Sequence, residues 1–474
     1  MRGLILLSLL FCSVNSAVLD KTSLKFVQIL FRHGDRNPIK WMYLPTDPPE
    51  FRTPWVPDLK SELTREGIQQ LYSVGQHLRE RYGHLVNFNY NTTEVYMHSG
   101  NDNRTSSSAL ALLAGFFPPN QIQTWSEEIP WQPIPIHTGK IIDDTTFAIF
   151  EKCPKLRAII DEDPGYLQLS EDYKELSAYL GEKSGVPITN LRVMDKVVDN
   201  LLIREIHNDT HPLPAWANKI LERTSFARLK GSLQDVVYGI PGIHRVTGGW
   251  MYNEIASKLE YYINQLVQHK IYFYSGHDSN IFSLAKLLQL GGINTKDIMY
   301  FGTYVSFELH QRDGEYYVQI WIREKLEGQP TFVSIANCAD PCPLQNFLKL
   351  APRVSSEQWY PDCGMVEDKT RPYRVAIIVL SILCGCLLTI LIATCVCYCS
   401  YKNEAYRLRN PEQKRLLGEE GLGSSYGSNE DNADQPEPET PKQKWRRLFN
   451  AIAAIRRMKL FASPTGDSRI DAST

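Results

Sequence analysis

No aspartate, glutamate, lysine or arginine occurs between Val375 and Tyr401. That run exceeds the ~20 residues an apolar helix needs to cross a bilayer. A helix apolar on every face over such a length is seldom the core helix of a soluble domain. The chain therefore reads as an ectodomain over 17–370, a single span over 375–401 and a tail over 402–474. Lys402, Arg407, Arg409, Lys414 and Arg415 follow the span, against Lys369, Arg371 and Arg374 before it. This bias agrees with a cytosolic tail. Arg2, the apolar stretch from Leu4 to Cys12 and the small residues Val14 and Ser16 read as a secretory signal over 1–16. The expected topology is that of a type I single-pass membrane protein, its large part lumenal or extracellular, in lysosomes or endosomes or at the plasma membrane.

Cysteine usage follows the same division. The ectodomain holds Cys153, Cys338, Cys342 and Cys363; four cysteines in an oxidising compartment predict two disulfides in one of three connectivities. A zinc site is the rival reading, but the C-x-x-x-C pair has no second pair or nearby histidine at metal spacing. Neither metal nor cofactor is expected. Cys395, Cys397 and Cys399 at the end of the span are candidates for acylation. A formal charge of −2 over 474 residues gives no nucleic-acid signature.

Within the ectodomain, Phe26, Val27, Ile29, Leu30 and Phe31 form an apolar run that ends at Gly34 and Pro38, the pattern of a buried strand feeding a loop. Thr64 and Glu66 open an amphipathic helix with Ile68, Leu71, Tyr72, Gly75, Leu78 and Tyr82 on one face. A second strand over 94–98 leads through a polar loop into a helix headed by Arg104. Residues 151–245 are helical in pattern and read as an inserted subdomain. Strand pattern returns over 271–275, followed by Gly276, His277, Asp278 and an apolar helix. Segments 303–309 and 315–322 alternate around Asp313 and Gly314, a hairpin signal. The expected fold class is α/β: a mainly parallel open sheet with flanking helices, the helical insert and one C-terminal transmembrane helix.

Three strand ends thus carry R-H-G-D-R at 32–36, Arg104, and the pair His277 and Asp278. Ligands of open α/β sheets bind beyond the carboxyl ends of the strands. Guanidiniums there hold a phosphate through forked, charge-assisted hydrogen bonds, and an imidazole can attack phosphorus. An adjacent carboxyl can protonate a poor alkoxide leaving group and then activate water. Each piece alone reads as an ordinary charged turn. Together they are the components of phosphoryl transfer.

The sequence resembles the histidine acid phosphatase family, in particular its prostatic and lysosomal branch. R-H-G-D-R-N-P at 32–38 fits the family's R-H-G-x-R-x-P, and S-G-H-D at 275–278 fits its H-D motif. The resemblance runs through L-T-R-E-G at 63–67, N-R-T-S-S-S-A at 103–109, G-F-F-P-P at 115–119, W-Q-P-I-P-I-H-T at 131–138 and C-P-L at 342–344. It implies an acid phosphatase that hydrolyses phosphate monoesters through a phosphohistidine. His33 would be the nucleophile and Asp278 the proton donor, with Arg32, Arg36, Arg104 and His277 holding the phosphate. It also implies bridges Cys153–Cys363 and Cys338–Cys342, two where the family commonly has three. The loop before Arg104 reads N-D-N where the family usually has an acidic D-V-D-like sequence. A phytase or a lipid or lysophospholipid phosphatase on the same scaffold is the nearest rival. A catalytically silent receptor-like ectodomain would be favoured by loss of His33, Arg104 or Asp278, and all three are present.

Asn91, Asn103 and Asn208 each begin an N-x-T sequon. Asn91 and Asn208 are expected to carry glycans, and Asn103, beside Arg104, is expected to be bare. His98, His137, His244 and His310 read as structural. In the tail, Glu412, Leu416 and Leu417 form E-x-x-x-L-L, which resembles a sorting signal read by adaptors. Residues 442–461 contain seven basic and no acidic residues, with Trp445, Leu448, Phe449, Ile452 and Ile455 at helical spacing. Such a segment suits an anionic membrane or a calmodulin-like groove. The expected partners are then a phosphomonoester substrate, the membrane, these tail ligands and a second copy of the chain.

Overall fold

The computed structural model describes residues 19–138, 153–365 and 371–409. The expected signal segment 1–16, Glu412, Leu416, Leu417 and the basic stretch 442–461 lie outside these. Two compact units divide the chain, 1–369 and 370–474.

The first unit is built on one mixed sheet. Its strands are β1 (Leu24–Arg32), β2 (Val95–Ser99), β3 (His137–Thr138), β4 (Ile271–Gly276), β5 (Leu290–Gly291), β6 (Tyr304–Arg312), β7 (Glu315–Arg323), β8 (Thr331–Ile335) and β9 (Cys342–Pro343), in the order β3-β2-β4-β1-β6-β7-β8-β5 with β9 on β7. Pairing is parallel through β3, β2, β4 and β1, and antiparallel from β6 onward. The β6–β7 hairpin adds to β1 and so gives the sheet a larger antiparallel share than the strand-helix alternation implied. Its turn is at Asp313 and Gly314, with φ of 53° and 85°, the positive values that a two-residue hairpin loop demands.

β1 is buried on both faces, which is why it reads as an almost continuous apolar run. Val27, Ile29 and Phe31 face a layer made by α1 (Arg65–Tyr82) and α2 (Asn103–Phe116), with Leu71, Val74, Leu78, Leu112 and Phe116. Phe26 and Leu30 face the helical side. Truncating a Phe at such a site costs ~3–5 kcal/mol. The hydroxyl of Thr64 caps α1 by accepting from the Gly67 amide at 3.0 Å. The buried stripe of α1 is Gly67, Leu71, Val74, Gly75, Leu78 and Tyr82, whereas Ile68, expected on it, is 49% exposed. One position of helical rotation separates the two readings. Gly75 and Gly115 let α1 and α2 cross closely, since a Cβ on either would strike a backbone carbonyl of the other helix.

The helical region comprises α3 (Pro154–Glu162), α4 (Pro164–Asp172), α5 (Lys174–Ser184), α6 (Leu191–Ile206), α7 (Phe226–Gly239) and α8 (Pro241–Ile263). It shares one core with the sheet and α9 (Asp278–Leu288). Helix therefore continues to Ile263, past the expected boundary near 245. Disulfides join Cys153 to Cys363 and Cys338 to Cys342, with Cα separations of 4.8 and 5.4 Å.

The second unit contains α10 (Arg371–Arg409), of which Tyr373–Tyr406, 34 residues, is long and apolar enough to cross a membrane.

Candidate active site

β1 and β4 are parallel neighbours in register, Phe31 opposite Ser275 and Arg32 opposite Gly276. The helix that follows β1 packs on one face of the sheet, while the helix that follows β4 packs on the other. The chain therefore leaves the two strand ends in opposite directions, and the crevice between them is where an open α/β sheet binds its ligand. His33 and His277 open the two loops, their rings 5.3 Å apart and edge to face. β2 ends level with β4, Ser99 opposite Ser275, and brings in Arg104 on the first turn of α2. Gly34 is required by close approach: a Cβ there would strike the carbonyl of Gly67, and one on Gly67 would strike that of Asp35. R-H-G and L-T-R-E-G are thus two halves of one contact.

All six residues anticipated from the motifs converge on this crevice. Arg32 is buried, lies 3.2 Å from Asp278 through Nη2, donates to the Met299 carbonyl through Nη1, and has its guanidinium carbon 4.2 Å from the Phe301 ring centroid. Arg36 makes a fork to Asp199, with bonds of 3.2 and 2.7 Å. Arg104 donates to Ser61 Oγ at 2.8 Å and to Asp102 Oδ2 at 3.1 Å. His277 precedes α9 and places Nε2 3.0 Å from the same Asp102 oxygen. Asp278 follows, its Oδ1 accepting from the Ser279 amide at 2.8 Å.

Protonation follows from this crowding of charge. Burial, then Arg104, Arg32, His277 and Arg36, hold the His33 imidazole well below its ordinary range. Its Nδ1 lies 2.8 Å from the Gly34 carbonyl. Burial alone would raise the Asp278 carboxyl, but Arg32, Lys230 and a bond from Gln234 outweigh it and bring it down to about 2. Asp278, expected as the proton donor, is thus held toward its ionised form by Arg32 and Lys230. Burial lowers His277 too, partly offset by Asp102.

Sequence reasoning missed the layer beneath. Asp199 on α6 is fully buried, accepts from the Ile39 amide at 3.0 Å and lies 3.3 Å from Lys230, which is itself 2.8 Å from Asp195. Burial would raise Asp199, but Arg36 and Lys230 pull it well down. The signal was available: Asp199 and Asn200 interrupt an otherwise apolar stripe formed by Val197, Val198, Leu201 and Leu202, and an acid there needs a partner. Asp35 bonds His207 at 2.7 Å and Thr64 at 2.5 Å. Asp35, His207 and Glu66 form a group of metal-ligand type, in which His207 and Thr64 share the Asp35 Oδ2 atom. His98, His137, His244 and His310 lie against Tyr274, Tyr96, the Tyr238 carbonyl and Glu308, in agreement with structural roles.

The sequence profile of the histidine phosphatase superfamily (branch 2) matches residues 23–323. The chain belongs to that superfamily. This histidine phosphatase is 33% identical to human (Homo sapiens) lysosomal acid phosphatase over 395 residues, covering 81% of this chain and 90% of that protein. It is 32% identical to human prostatic acid phosphatase over 368 residues, 75% and 92% of the two chains. Among solved structures it is similar to the phytases of Citrobacter braakii (17% identity, TM-score 0.51, 72% and 99% covered) and Klebsiella sp ASR1 (16%, 0.52, 69% and 95%). At that identity the phytases share its fold. The acid phosphatases place the histidine phosphatase in their own branch.

Proposed function

We propose that this chain is an acid phosphatase that hydrolyses phosphate monoesters through a phosphohistidine at His33, borne on a type I membrane glycoprotein. The observation that carries the reading is a neutral histidine fixed among Arg32, Arg36, Arg104 and His277, with Asp278 next in sequence. In the first step His33 Nε2 attacks phosphorus and the ester P–O bond breaks. The leaving oxygen takes a proton through Asp278, and the arginines hold the charge on the phosphoryl oxygens. In the second step the Asp278 carboxylate takes a proton from water, whose oxygen displaces Nε2. The P–N electrons return to His33 and inorganic phosphate leaves.

The apolar helix, the E-x-x-x-L-L motif and the similarity to lysosomal acid phosphatase support an endosomal or lysosomal address. Surface biotinylation of a Leu416→Ala, Leu417→Ala protein tests it: labelling should rise, and unchanged labelling removes the motif from the account. The activity is tested with full-length protein in detergent against alkyl and aryl phosphates, inositol phosphates and lysophospholipids across pH. Hydrolysis of simple monoesters at acidic pH is expected. Inertness toward every ester would contradict the reading and favour a silent receptor-like ectodomain.

A further inference from the structure

Each of the three pocket arginines has its own carboxylate: Arg32 has Asp278 at 3.2 Å, Arg36 has Asp199 at 2.7 Å, and Arg104 has Asp102 at 3.1 Å. The three acids differ in how firmly they are held. The side chain of Asp199 is 0% exposed, that of Asp278 14% and that of Asp102 39%. Asp199 is gripped by two cations and an amide deep in the fold. Asp278 serves the chemistry. Asp102 sits on the loop between β2 and α2, and one of its oxygens reaches both Arg104 and His277. It is the N-cap residue of α2, yet its side chain makes no capping bond to that helix, the usual employment of an Asp there. Its carboxylate is turned toward two phosphate-holding groups instead.

We propose that Asp102 sets the phosphate affinity of the pocket, as a displaceable counter-ion that occupies Arg104 and His277 and with which every incoming phosphate group competes. This rests on the phosphatase reading above. A phosphoryl oxygen bound to Arg104 Nη2 and His277 Nε2 would take the place of Asp102 Oδ2, since both donors already converge on that one atom. The exchange swaps one anion for another on the same donors, so that net affinity is the difference between the two. A displaced Asp102 remains at the mouth and repels the phosphate anion that replaced it. Pockets of this family that lack an acid at this position would bind the same phosphate more tightly. The opposite role is equally concrete: Asp102 could orient Arg104 and His277 for the substrate, in which case its removal would weaken binding.

Isothermal titration calorimetry of inorganic phosphate into the full-length protein in detergent separates the two. Measurements at one acidic pH would compare the parent chain with Asp102→Asn, which keeps the shape and removes the charge, and with Asp102→Ala. Both variants should bind phosphate about fivefold more tightly, the scale of one partly exposed ion pair. The KM for para-nitrophenyl phosphate should fall in step with phosphate affinity while kcat does not rise with it. Equal or weaker phosphate binding by both variants, with melting curves that show them folded, overturns the proposal. Because the titration involves no turnover, a chain that hydrolyses nothing would defeat the phosphatase reading, yet the phosphate affinities would still decide the role of Asp102.

Discussion

His33 Nδ1 lies 2.8 Å from the carbonyl oxygen of the next residue, Gly34. A carbonyl only accepts, so the imidazole proton sits on Nδ1 and the lone pair is left on Nε2. Burial and the neighbouring arginines Arg104, Arg32 and Arg36, together with His277, keep that ring neutral well below its ordinary range. A nucleophile of this kind stays competent in acid, where a solvent-exposed histidine would be protonated.

The state of Asp278 makes a prediction about pH. With its carboxyl down at about 2, the free enzyme holds no proton there over the working range. The proton given to the leaving group must then arrive with the substrate, as the phosphate monoanion. kcat/KM should therefore fall as pH rises through the second ionisation of the ester, roughly 6. In a series of esters with different second ionisations, the basic limb should move with the ester. A limb that stays fixed as the substrate changes would assign it to an enzyme group instead.

Leaving groups give a second test. Asp278→Ala should slow alkyl phosphates by about a hundredfold or more, the usual worth of a positioned general acid. Aryl esters, whose leaving oxygen needs less protonation, should lose much less. Since Asp278 also touches Arg32, the ratio between ester classes is the informative quantity. An equal loss for both classes would point to a purely electrostatic role.

Asp199 is the counter-ion of two buried cations, Arg36 and Lys230. Asp199→Ala leaves both charges buried with less compensation, for which the expected destabilisation is about 3–5 kcal/mol. Denaturant unfolding of the variant measures it, and a loss below about 1 kcal/mol would mean that Asp195 alone satisfies the cluster.

The motifs announced the site because phosphoryl transfer needs arginine, histidine and aspartate at strand ends, and both R-H-G-D-R and H-D stand directly after apolar runs. The strands β1, β2 and β4, the β6–β7 hairpin and the helix after Thr64 were legible for the same reason, since their periodicity and turn residues are local. What was hidden depends on contacts distant in sequence. Arg36 meets Asp199 across 163 positions, and nothing near Arg36 signals that partner. Ile68 was misplaced because one apolar residue beside a helical stripe does not define its edge. The charge state of Asp278 required the positions of Arg32 and Lys230, which the motif does not contain.

Among the sequons, Asn103 is distinguished by its neighbours. Its Nδ2 donates to Glu62 at 2.9 Å, tying the first residue of α2 to the loop before α1, while the adjacent Arg104 donates to Ser61 on that same loop. The amide nitrogen that a glycan would occupy is thus already employed. Asn91 and Asn208 are exposed and use their Oδ1 atoms as acceptors from local donors, in Asn91 from Thr93 and in Asn208 from Leu213. Site-resolved glycopeptide mass spectrometry should find carbohydrate at Asn91 and Asn208 and little at Asn103. High occupancy at Asn103 in active protein would show that its bond to Glu62 is dispensable.

The central claim is that His33 carries the phosphoryl group between the two steps. Full-length protein mixed with a radiolabelled phosphate ester, quenched within a turnover in alkali and digested, should yield a labelled peptide spanning His33. The label should be stable to base and lost in acid, and it should be absent from a folded His33→Ala protein whose activity has dropped by roughly a thousandfold or more. Normal turnover with no label on His33, or substantial turnover by His33→Ala, would contradict the account.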